Sequence, residues 1–146
     1  MRIEVYILCN RYPMVQRTAT ARWIVAAYDG DNLSPVLIWK RDGVVVSSRS
    51  TNKRSSVVAL RDALKRFTKP AIINLYIEDP FVRHMMQTNM PHRWSINRWT
   101  KYRYGQDIKY VEIWKEIYAL MKGHAIRYVS ADQLYGQQLI KQMEVK

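Results

Sequence analysis

The sequence predicts a single α/β domain, and three observations carry that prediction. The N-terminal third alternates apolar and polar side chains with a period of two, as half-buried strands do. From Val57 the apolar spacing switches to three and four, the period of an amphipathic helix. From Ala71 to Met86, AIINLYIEDPFVRHMM, a strand pattern runs directly into a helix pattern. A chain of 146 residues suits one domain with its own core, and it carries no internal repeat, low-complexity linker or second domain.

The first strand is Ile3 to Cys9, with Ile3, Val5 and Ile7 on one face and Glu4, Tyr6 and Leu8 on the other. Asn10 to Pro13 is turn-like, a second strand follows at about Thr20 to Tyr28, and Asp29-Gly30-Asp31-Asn32 is a strong turn signal. Val36 to Lys40 resumes strand character, Asp42-Gly43 turns again, and Val44 to Ser48 is a further short β run. Two strands and one interrupted strand both fit that stretch. The whole third reads as an antiparallel meander.

Thr51 to Ser56 supplies hydroxyl and amide caps for a helix whose stripe is Val57, Leu60, Leu64 and Phe67, ended before Pro70. Ile73, Leu75 and Ile77 then alternate with Asn74, Tyr76 and Glu78 until Asp79-Pro80 stops the strand. Asp is a favoured N-cap and Pro is at home in a first helical turn, so a helix starts here with Phe81, Val82, Met85 and Met86 on its apolar face. Open α/β sheets place their chemistry at such strand-to-helix steps. The plainer reading is that Asp79 only caps the helix and Glu78 is a solvated strand end.

Lys109 to Lys122 is a helix with Val111, Trp114, Tyr118 and Met121 in one stripe, stopped by Gly123. Ala125 to Ser130 is the last strand. Asp132 is expected at or near the start of a terminal helix carrying Leu134, Leu139, Ile140 and Met143.

Charge narrows the function. Lys and Arg number 24 against 12 for Asp and Glu, a formal net charge of +12. Such an excess favours a polyanionic partner, nucleic acid before an anionic membrane surface. Between Asn89 and Gly105, Arg93, Arg98, Lys101 and Arg103 interleave with Trp94, Trp99, Tyr102 and Tyr104, without an acid. Aromatic faces cover sugars and bases while cations meet phosphates; core tryptophans with solvated arginines are the equally simple alternative. Cys9 is the single cysteine, so no intrachain disulfide forms, and no apolar run approaches the ~20 residues of a membrane span. A soluble, cytoplasmic protein is expected, with no membrane partner.

Five strings now stand in order: Thr51-Asn52-Lys53-Arg54, Glu78-Asp79-Pro80-Phe81-Val82, Met90 to Lys101, Val111-Glu112-Ile113-Trp114 and Ala131-Asp132-Gln133-Leu134. With the element order, they resemble the ribonuclease H family over nearly the whole chain. The counterparts are its TNNR string, its strand-end D-S-x-Y-V, its Trp-rich basic handle, its V-D-L-W and its C-terminal A-D-x-L. The resemblance implies a central mixed five-stranded sheet, its first three strands antiparallel, with helices on both faces. It implies hydrolysis of the RNA strand of RNA–DNA hybrids by two divalent ions held by four carboxylates. Two such ions about 4 Å apart repel strongly, and only hard anionic oxygen ligands offset that.

Carried onto this sequence, that set is damaged. Where the family has E-I-F-T-D-G-S, the string here is Glu4-Val5-Tyr6-Ile7-Leu8-Cys9-Asn10, with Leu8 at the metal-bridging position. An alkyl group cannot ligate Mg²⁺, and Glu4 lies roughly 13 Å along the strand, at ~3.3 Å per residue. The helix Glu falls on Ser56, a weak neutral ligand at best. Glu78 takes the third position, or Asp79 if the register differs by one, and Asp132 the fourth. The loop before the last helix is short, and His124 precedes the last strand, so it reads as an ordinary surface histidine rather than the family's loop histidine.

Glu78 and Asp132 would hold at most one ion, weakly. The expectation is a nucleic-acid-binding domain for RNA–DNA hybrid or a related duplex, with an inactive or impaired two-metal site and no tightly bound cofactor. Its phosphate and base contacts are expected from Thr51, Asn52, Lys53, Arg54, Arg93, Trp94, Arg98, Trp99, Lys101 and Arg103. One alternative is an active Mg²⁺- or Mn²⁺-dependent nuclease using Glu78, Asp79 and Asp132. Another is a non-catalytic scaffold for protein partners, whose cue would be a large exposed apolar patch. Metal-ligand spacing among His84, His92, His124 and Cys9 and a glycine-rich phosphate loop are both absent from the sequence, and Cys9 in a β run reads as packing.

Overall fold

β1 (Arg2–Cys9) runs through the middle of a mixed five-stranded sheet of order β3-β2-β1-β4-β5. The computed structural model describes residues 1–9, 16–31, 33–50, 52–100 and 108–142, and for 16–19, 47–50, 52 and 142 only the backbone. β2 (Gln16–Asp29) pairs antiparallel with β1 and with β3 (Val36–Ser50), while β4 (Ile72–Ile77) and β5 (Ala125–Tyr128) extend the other side in parallel. The helices are α1 (Asn52–Leu64), α2 (Pro80–Gln87), α3 (Met90–Ile96), α4 (Val111–Met121) and α5 (Gln137–Gln142). The first three strands form the expected meander, and the later parallel strands are joined through helices, as parallel pairing requires.

The period-two alternation of β1 sends its side chains into two cores. Val5, Ile7 and Cys9 join Val57, Leu60, Leu64, Trp114 and Ile117 beneath α1 and α4. Tyr6 and Leu8 face the other way, packing with Ile24, Ala26, Tyr28 and Leu134, against which Leu139 and Ile140 of α5 rest. Helices on both faces account for β1 being buried almost throughout.

Three local expectations are corrected. Asp42-Gly43 is not a turn: β3 passes through it as one strand, because Gly43 lies opposite Trp23 and leaves room for the indole that a Cβ would strike. The terminal helix starts only at Gln137, so Asp132 sits before it in a 3₁₀ turn, Ala131–Gln133, and Leu134 packs from the linking segment. His124 is no ordinary surface residue. Its Nδ1 accepts the Ala71 N–H at 3.1 Å and its ring meets Phe67 edge-on, tying the start of β5 to the loop before β4.

Candidate nucleic-acid interface

Of the positions carried over from the family, Leu8, Glu78 and Asp79 lie together where β1 and β4 end. Leu8 is 2% exposed among apolar neighbours. Glu78 is the first residue past β4; its N–H donates to the Ile7 carbonyl at 2.9 Å, and its Oε1 accepts the Cys9 N–H at 3.4 Å. Asp79 is buried and accepts the Val82 N–H at 3.0 Å, so its carboxylate serves as the N-cap of α2. Ser56 is fully buried in α1, its hydroxyl without a hydrogen-bond partner among the described residues.

Asp132 lies just past β5, in the turn Ala131–Gln133. It is exposed and accepts the Ser130 hydroxyl at 2.5 Å. The next carbonyl, that of Gln133, accepts Arg2 Nη2 at 2.9 Å. That bond ties the segment to Arg2 at the opening end of β1, while the Val129 N–H donating to the Leu75 carbonyl at 3.0 Å holds the preceding residues beside β4.

Across β2 from Leu8, on the same face, is Arg22. Its Nε is enclosed and has no hydrogen-bond partner among the described residues. The alternation of β2 places this guanidinium on the Ile24–Ala26 face, a cation in an otherwise apolar row. That lone charge was the available sequence signal, and reading the acids alone missed it.

These residues do not fit a pair of divalent ions. Leu8 offers no lone pair, Ser56 is neutral, Asp79 is engaged as a cap, and Arg22 adds positive charge where a cage needs negative. Among the described residues, no three His, Cys, Asp or Glu side chains cluster as metal ligands.

The basic, aromatic stretch divides by exposure. Arg93 and Arg98 are exposed. Trp94 is corrected as a stacking surface: it is 6% exposed and lies edge-on to Trp114, 5.6 Å between ring centres, within the larger core. Trp99 is partly buried, edge-on to Tyr118, whose hydroxyl bonds His92 Nδ1 at 2.8 Å. At the start of α1, Lys53 and Arg54 are exposed, the Lys53 ammonium 4.7 Å over the Phe81 ring. Asn52 begins that helix, but its side chain lies outside the described residues, as do Thr51, Lys101 and Arg103.

Glu4, set aside by its distance from Leu8, proves to be a buried structural hub. Its carboxylate accepts the Tyr6 hydroxyl, Arg2 Nε at 2.8 Å and the N–H groups of Tyr135 at 2.9 Å and Gly136 at 3.1 Å. Burial and the adjoining carboxylate push the Tyr6 phenol far above its ordinary range. Burial alone raises Tyr128 to about 12.

The family model for RNase H matches residues 19–133. A ribonuclease H from Acetivibrio thermocellus is 30% identical over 80 residues, 55% of this chain and 54% of that protein. One from Rhodopseudomonas palustris is 28% identical over 81 residues, 56% of this chain and 53% of that protein. The match thus spans about half the length of these curated relatives. Among solved structures, LC9-RNase H1, described as a type 1 RNase H with the type 2 active-site motif, superposes with a TM-score of 0.65 at 20% identity, covering 94% of this chain and 69% of that one. A foamy viral protease-reverse transcriptase solved with double-stranded DNA gives 0.66 at 13% identity, over 93% of this chain and 84% of that one. Strand order, the strings on their elements and the family match over most of the sequence agree: the chain belongs to the RNase H family.

Proposed function

We propose that the chain binds RNA–DNA hybrid, or a related duplex, and that its two-ion hydrolytic site is inactive or impaired. The observation that supports this most is the buried Leu8 at the metal-bridging position, with the Arg22 guanidinium opposite it on β2. Any residual divalent binding falls to Glu78 and Asp132 and is weak and single-ion. The family's RNase H relatives make a nucleic acid the natural partner, and the net charge of +12 fits it. Lys53, Arg54, Arg93 and Arg98 are the exposed cations for phosphates, with Thr51, Asn52, Lys101, Arg103 and the edge of Trp99 completing the interface. The cytoplasm is proposed as the compartment, in line with a single buried thiol.

Counterion release makes the test quantitative: each neutralised duplex phosphate contributes about −0.9 to the slope of log affinity against log salt. Fluorescence anisotropy on a labelled hybrid is expected to give a slope steeper than about −3. Affinity that stays flat between low and physiological salt would contradict binding through this interface.

One observation favours a second reading, the scaffold. β3 lies at the sheet edge and exposes Val36, Leu37, Ile38 and Trp39, then, past the charged Lys40, Arg41 and Asp42, Val44 and Val46. The nuclease reading would replace both if hybrid were cleaved with Mg²⁺ or Mn²⁺ and Glu78→Gln abolished the cleavage.

A further inference from the structure

We propose that Arg22 stands in for the metal at this end of the sheet: its guanidinium, opposite Leu8, holds a nucleic-acid phosphate without a divalent ion. The inference rests on the hybrid-binding reading and names the contact made at its centre. Arg22 is the sole cation in the run Thr20 to Tyr28, and the face it shares is formed by Tyr6, Leu8, Ile24, Ala26 and Tyr28. Enclosing part of a guanidinium among such groups is costly unless an acceptor compensates. Among the described residues no acceptor meets its Nε. Buried polar groups are rarely left in that state, and each exception asks for a reason.

The neighbours supply one. Leu8 lies directly opposite Arg22, which for antiparallel partners puts their Cβ atoms about 4.5–5.5 Å apart. A carboxylate at position 8 would pair with the guanidinium; the leucine leaves its charge for an anion from outside. On the other side the cross-strand partner is Val44, exposed and uncharged. Arg22 as a whole is only partly buried, so the apolar surroundings strengthen its field without sealing it off. A planar fork of N–H donors matches phosphate oxygens two at a time, which a point charge cannot do. In a site of this composition, a cation fixed to the protein performs the charge neutralisation for which two ions would otherwise be needed.

The test is anisotropy with a labelled RNA–DNA hybrid in EDTA and in Mg²⁺ at matched ionic strength. The wild type is compared with Arg22→Gln, Arg22→Lys, Val44→Glu and Val36→Glu. The wild type should bind in EDTA, with no tightening from Mg²⁺. Arg22→Gln should weaken binding about tenfold and reduce the salt slope by about one, as loss of a phosphate contact does. Arg22→Lys should keep the slope and lose only part of the affinity. Val44→Glu sets a carboxylate beside the guanidinium from the exposed edge strand, so it tests the idea without disturbing the core. It should weaken binding clearly more than Val36→Glu, which changes net charge equally at the far end of β3. Wild-type binding that Arg22→Gln leaves unchanged, or equal losses from the two glutamates, would overturn the role of Arg22 while leaving hybrid binding intact. A wild type that does not bind hybrid at all would overturn the underlying reading as well.

Discussion

Glu4 shows how a single side chain acquires a role that position alone does not reveal. Its acceptor capacity is spent on Arg2, Tyr6 and two backbone N–H groups ahead of α5, so it fastens the C-terminal segment to β1. Glu4→Gln replaces an acceptor-only group by one that presents an NH₂ to donors. Removing one side of a buried charged network costs about 3 kcal/mol. Urea unfolding should register that loss, with hybrid affinity of the folded protein unchanged; a loss under about 0.5 kcal/mol would mean the network is marginal.

Tyr6 and Tyr128 make a separate prediction. Both phenols are raised in the folded chain, Tyr128 to about 12, so the unfolded chain releases its tyrosine protons first. Their contribution is complete below pH ~10 and is lost as pH climbs from there through the folded values. Stability measured from pH 9 to 12 should fall, and Tyr128→Phe should flatten part of that fall. An unchanged slope in the variant would contradict it. At this scale the sequence was least legible: Trp94 and Arg93 are neighbours in one basic string, yet one is core and the other solvent, because α3 turns its faces apart.

Elements were far easier to read. Alternation in β1 and β4, the Asp79-Pro80 helix start and the stop at Gly123, which has φ +85°, are local chemistry, and the structure follows them. The failures came where a tertiary contact overrode a local signal. Asp42-Gly43 carries turn residues, but pairing with β2 and the Trp23 indole keep β3 extended. Asp132 has the sequence look of a helix start, yet ties from Arg2 and Glu4 to the following residues hold that stretch off the helix. Asp79 offers an element-level test of cap against metal ligand. Asp79→Ala should cost about 1 kcal/mol of stability while Asp79→Asn, still an N-cap, costs little. Hybrid affinity should be the same for both once folded. A loss of Mg²⁺-dependent behaviour in Asp79→Asn at unchanged stability would make it a ligand instead.

For the whole molecule, the fold came through because its topology is written in an order of elements, and each element announces itself locally. The candidate site came through only in part. The sequence put Leu8 and Ser56 at positions where the resemblance expects acids, but did not show that Arg22 stands opposite Leu8, since that depends on the register between β1 and β2. The resulting molecule carries a formal net charge of +12, which favours a polyanionic partner. The most direct measurement is a gel that resolves free, bound and cleaved RNA–DNA hybrid across a Mn²⁺ titration that begins in EDTA. A bound, intact hybrid is expected at every concentration, Mn²⁺ included. Cleavage of the RNA strand that rises with Mn²⁺, or binding that appears only once Mn²⁺ is present, would contradict it.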